Sequence, residues 1–95
     1  HDYPLSQRRF HWESQSTTRR GSKTGQRYER PPDDWRILLF VRQAKTDARG
    51  VTMPYLLLGP VRCQSASGDR PIQIVWELEH TMPAGWFNEV KIAAA

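Results

Sequence analysis

Residues 1–30 hold seven cations, Arg8, Arg9, Arg19, Arg20, Lys23, Arg27 and Arg30, against three acids, Asp2, Glu13 and Glu29. The remaining residues balance at seven of each sign, so the first third of the chain carries the whole net charge of +4. Six of the seven cations are arginine, whose planar fork pairs bidentately with phosphate. They are interleaved with Phe10, His11, Trp12 and Tyr28, whose rings can stack on bases. A one-sided excess of this kind suits a surface that faces a polyanion. Between Arg19 and Arg27, Gly21 and Gly25 let the backbone approach a ligand, while Ser22, Thr24 and Gln26 can donate to phosphate oxygens. Five phosphate contacts from this group imply a slope of log K against log salt of about −4 to −5 on duplex DNA. The competing reading of the same run is a solvated, flexible charged loop.

Base contacts are expected from His11 and Gln15. In Arg9–Ser16 the alternation of Phe10, Trp12 and Ser14 with His11, Glu13 and Gln15 turns the second set outward and sends Trp12 to the core. The nucleic-acid-binding set read from the sequence is therefore Arg8, Arg9, His11, Gln15, Arg19, Arg20, Lys23 and Arg27.

Catalytic chemistry finds no frame. The chain lacks a Gly-rich phosphate loop, a Walker-type Lys-Ser/Thr pair and an acidic metal box. Ser65, Ser67, Asp69 and His80 supply the residue types of a hydrolytic triad without a nucleophile elbow. His1, His11 and His80 match no short ligand spacing. The expectation is no catalytic residue, no metal and no cofactor. Cys63 is the single cysteine, which excludes an internal disulfide and a cysteine zinc cluster, fits a reducing, cytoplasmic setting, and suits a small core hydrophobe. No apolar run approaches the roughly 18–20 residues of a membrane span, and no signal peptide opens the chain.

Strand patterns must position these residues. Trp35–Arg42 is apolar on both faces in its middle, which predicts a central strand. Met53–Cys63 is interrupted by Gly59-Pro60 and reads either as two strands around a tight turn or, the favoured reading, as one long strand bent there. After a turn at residues 67–71, Ile72–Glu79 places Ile72, Ile74, Trp76 and Leu78 inward. Gln43–Gly50 reads as a hairpin loop closed by Gly50, and Pro83–Lys91 as a helix of two turns at most. Thr17–Asp34 is too long and polar for an ordinary connection. The predicted fold is mainly β, a small antiparallel barrel-like or half-open sheet with one short C-terminal helix. Residues 1–92 are expected to form one β-rich accessory domain cut from a longer polypeptide, with residues 93–95 a tail or cloning remnant.

As a set, the tracts FHWESQS, TGQRY, ILLFVR, PYLLLGPV and GDRPIQIVWELEHTMP resemble an uncharacterised domain family. That family lies at the C-terminus of bacterial superfamily 2 DEAD/DEAH-type helicases and is also similar to segments beside phospholipase-D-like and HNH nuclease modules. The likeness runs from His1 to about Phe87. It implies a parent enzyme acting on nucleic acid whose motor and nuclease lie elsewhere, with the parent's helicase domains as partners. The combined expectation is a noncatalytic nucleic-acid-binding accessory domain, preferring DNA and sensing its structure or modification. The alternative is a structural docking or dimerisation module of the parent, using Trp86, Phe87, Val75, Glu77 and Glu79.

Overall fold

A computed structural model of the chain describes residues 2–94, with side chains described through residue 89. The elements run β1 (Tyr3–Ser6), β2 (Arg9–Glu13), α1 (Lys23–Glu29), β3 (Ile37–Val41), β4 (Leu56–Ser67), β5 (Gln73–Leu78) and α2 (Ala84–Ala94). All strand pairs are antiparallel, in one open sheet of order β1-β2-β5-β4-β3. The mainly β architecture with a short C-terminal helix is as the sequence predicts, and the sheet is open rather than closed into a barrel.

Period-two patterning sets the two faces. Phe10 and Trp12 of β2 stand opposite Trp76 and Ile74 of β5, and Val61 and Cys63 of β4 stand opposite Leu78 and Trp76. Ile72, Ile74, Trp76 and Leu78 are all buried, as their alternation predicts. The core they build also takes in Leu39, Val41, Leu58 and Met82. Tyr28 from α1 and Trp86 and Phe87 from α2 pack against it, so both helices cover one face of the sheet. Arg9, His11 and Glu77 lie on the other face, which carries no helix.

β4 is the single long strand expected from Met53–Cys63, although it begins at Leu56 and runs on to Ser67. Its bend sits where Gly59 adopts φ +93°, a conformation that favours glycine. There the register with β3 slips by one residue, and the extra residue, Leu58, is buried. Gly50 has φ +79° in the β3–β4 connection, where Asp47 Oδ1 accepts from Arg49 N and Val51 N.

Three expectations change. β3 is an edge strand rather than a central one: it pairs with β4 alone, and Leu38 and Phe40 remain exposed on its outer side. Apolar content on both faces reports what a strand can bury, and this sheet gives it a neighbour on one side only. α2 has eleven residues, longer than the two turns expected, because the alanines set aside as a tail continue the helix through Ala94. Residues 17–34 contain a seven-residue helix where the composition suggested only loop.

Candidate functional site

The cation-rich segment is clamped at both ends. Ser14 closes β2 by accepting from Ile72 N through Oγ at 2.8 Å while its own N–H donates to Ile72 O at 3.0 Å. Two bonds from the β4–β5 turn follow: Arg70 N donates to Thr18 O at 3.1 Å, and Asp69 Oδ1 accepts from Arg20 N at 2.7 Å. Ser22 then caps α1, its Oγ accepting from Gly25 N at 3.1 Å and donating to Arg19 O at 2.6 Å. Gly25 is buried, and a Cβ on it would lie 2.3 Å from Arg19 O. Its missing side chain therefore lets the helix sit against the Arg19–Arg20 backbone, rather than opening the backbone to a ligand. At the far end of α1 the Tyr28 ring stands edge-on to Trp12, centroids 5.1 Å apart, and to Trp76 at 6.3 Å.

This helix arranges the cations. Lys23 and Arg27 lie four apart on one exposed stripe of α1 away from Tyr28, and the exposed Arg30 follows them as the C-cap, with non-helical backbone. Arg30 adds to these cations although the sequence reading left it out of the binding set; only recognition of α1 reveals its position. Arg19 is exposed at the start of the segment. Arg20 is committed elsewhere, gripping Glu29 through Nε and Nη2 at 3.2 and 3.0 Å. Arg27 places its guanidinium 4.8 Å from the centre of the Trp35 ring, a cation–π contact. Arg19, Lys23, Arg27 and Arg30 form no ion pair among the described residues.

Two clefts lie near the segment, the first on the α1 side and the second running onto the helix-free face that carries Glu77. One of about 520 Å³ is walled by Trp12 and Tyr28 and edged by Gln15, Thr17, Arg19 and Thr24. A second, of about 460 Å³, joins Trp35 to Arg8, Arg36 and Arg62, with Glu77 and Glu79 at its margin. Volumes of this order fall in the range usual for small-ligand sites, about 300–1,000 Å³. Arg8 at the β1–β2 turn also donates to Leu78 O at 3.3 Å.

The other members of the expected set are not brought together with these. Arg9 and His11 lie on the opposite, helix-free face, His11 stacked on Tyr3 at 4.6 Å and Arg9 opposite Glu77. Gln15 lies beyond the end of β2 at the mouth of the first cleft rather than on that outer face. Asp69 and His80 fall at opposite ends of β5, so the paper triad does not assemble. His1 is outside the described residues, and no group of three metal-ligating side chains occurs among those described. Among them no helix is long and apolar enough to cross a membrane.

Charge pairing shapes the acids. The hydrogen bond from Arg20 holds the Glu29 carboxyl below its ordinary range and raises Arg20 in turn. Glu77 is likewise lowered by its hydrogen bond to Arg62, with the charges of Arg9 and Arg8 adding to it. Cys63 packs against the core, and burial, more than the nearby Glu29, pushes its thiol up. Glu79 meets Arg36 at 3.9 Å.

Compared with known families, residues 1–90 match the one described as Domain of unknown function (DUF3427). The chain belongs to that family. No curated protein and no solved structure matches it. The match bears out the resemblance to an uncharacterised domain family. It takes in all five strands and α1, so the clamp, the cation row and both clefts lie within the DUF3427 domain.

Proposed function

We propose that this DUF3427 domain is a noncatalytic nucleic-acid-binding accessory domain, acting on DNA as part of a larger helicase- or nuclease-type protein. One observation carries the reading: Arg19, Lys23 and Arg27 form no ion pair among the described residues, with Arg30 beside them near Glu29, on an ordered scaffold next to an aromatic-walled cleft. Cations held by a clamped helix lose less conformational freedom on meeting phosphates than cations on a mobile loop. Phosphates along one strand engage Lys23, Arg27, Arg30 and Arg19. Gln15, at the cleft mouth, offers its amide to an unstacked base held against Trp12 and Tyr28, which is how DNA structure or modification is sensed. Arg8, Arg9 and His11 lie outside this path, Arg8 and Arg9 beside Glu77.

The test is a fluorescence-anisotropy titration of the chain with single-stranded, duplex and base-modified oligonucleotides. Lys23→Glu with Arg27→Glu abolishes binding while Arg9→Glu leaves it within about twofold. Equal loss from both, or no binding by the unaltered chain, contradicts the reading. The docking alternative keeps one specific support. Trp86 and Phe87 are half-buried against the core, and the β3 edge remains uncovered.

A further inference from the structure

Trp35 is 47% exposed and sits in the turn that leads into β3, its N–H donating to Pro32 O at 2.9 Å. Arg27 covers the indole at 4.8 Å, yet Arg27 is not among the residues lining the cleft of about 460 Å³ that Trp35 walls. Part of the ring is therefore left to that cleft, where Pro31, Ile37 and Pro60 continue the apolar wall.

Three guanidinium groups reach the same cleft from separate elements: Arg8 from the β1–β2 turn, Arg36 from the residue before β3 and Arg62 from β4. They outnumber the two carboxylates there, Glu77 and Glu79. Arg62 is held by Glu77 and neutralises it. Arg8 uses only Nη2, on Leu78 O, and a guanidinium has five N–H donors. Arg36 approaches Glu79 at 3.9 Å, beyond hydrogen-bond length, with both side chains more than half exposed. An exposed pair of that kind contributes little, so an anion with more charge displaces it.

We propose that this cleft is a nucleotide site, in which the base stacks on Trp35 and the phosphate takes the unused N–H groups of Arg8 and Arg36. An indole wall alone suits any flat ring and arginines alone suit any anion; their meeting in one cleft selects a ligand that carries both. A free mononucleotide and the terminal nucleotide of a strand offer the same chemistry. The site shares no lining residue with the Trp12–Tyr28 cleft, so it does not rest on the binding proposed for Arg19 and Lys23.

The test is an NMR titration of the full chain, following the Ile37 and Val61 amides in the cleft, with adenosine 5′-monophosphate, adenosine and inorganic phosphate. The monophosphate should shift both amides to saturation, with adenosine and phosphate each weaker by about tenfold or more. Trp35→Leu and Arg36→Gln should each weaken the monophosphate by about tenfold, and the exposed Arg36 can be replaced without loss of the fold. Arg19→Glu with Lys23→Glu should leave it within about twofold, which separates this site from the α1 cations. A 5′-phosphorylated tetranucleotide that binds tighter than the monophosphate, with the same dependence on Trp35, makes a strand end the source; one that binds equally or less makes it the free nucleotide. Unshifted amides, adenosine or phosphate binding as well as the monophosphate, or Trp35 and Arg36 variants that bind like the unaltered chain, overturn the proposal.

Discussion

Tyr28 meets Trp12 edge-to-face, ring centroids 5.1 Å apart, and through that contact α1 is held on the sheet. The helix is seven residues long, too short to persist by itself, so its order depends on this ring and on the clamp at residues 18–20. Tyr28→Ala is expected to cost about 2 kcal/mol in urea unfolding. Its effect on oligonucleotide affinity should exceed that of Tyr28→Phe, because the ring, not the hydroxyl, does the anchoring.

Glycines of the same segment should respond differently. A Cβ at Gly25 meets Arg19 O at 2.3 Å and Arg20 O at 2.8 Å, both backbone atoms, whereas nothing lies within 4 Å of one at Gly21. Gly25→Ala should destabilise by about 1–3 kcal/mol and weaken binding together, while Gly21→Ala leaves both unchanged. Parallel urea melts of the two variants check this, and equal effects count against the packing described.

The paired acids give a pH dependence whose sign is fixed. Glu29 and Glu77 are held below their unfolded values by Arg20 and Arg62, so each contributes stability above the ordinary carboxylate range. That contribution is lost as pH falls through their lowered folded values. Thermal melts should be flat from neutral pH down to that range and decline below it, with a shallower decline in Glu29→Gln and Glu77→Gln. Both pairs are solvent-exposed, so the slope is small. A gain in stability on acidification contradicts the assignment.

Strands carried strong local signals, and the sequence located four of the five. Ile72 to Leu78 alternates without error, and Gly59-Pro60 marks the bend of β4. β1 escaped because Tyr3–Ser6 is short, contains a proline and pairs through an irregular register. α1 was illegible for a different reason: Tyr28 is the only large apolar residue between Thr17 and Pro31, and the bonds that order the segment come from Asp69 and Arg70, about fifty residues along the chain. The cationic composition of the site was visible, but its division between two faces was not. Period two placed Arg9 and His11 outward correctly, yet only the position of α1 on the opposite face separates them from Arg19 and Lys23. Position in the sheet was the remaining gap, since strand order is a long-range property that the apolar pattern of β3 does not encode.

The salt dependence of DNA binding tests the central claim most directly. With Arg20 occupied by Glu29, four cations on the α1 side remain to displace counterions, so log K for a short duplex should fall against log salt with a slope of about −3.5. Lys23→Gln with Arg27→Gln should bring the slope to about −2. Binding that ignores salt, or a slope that these two substitutions leave untouched, would show that the α1 row is not what the polyanion meets.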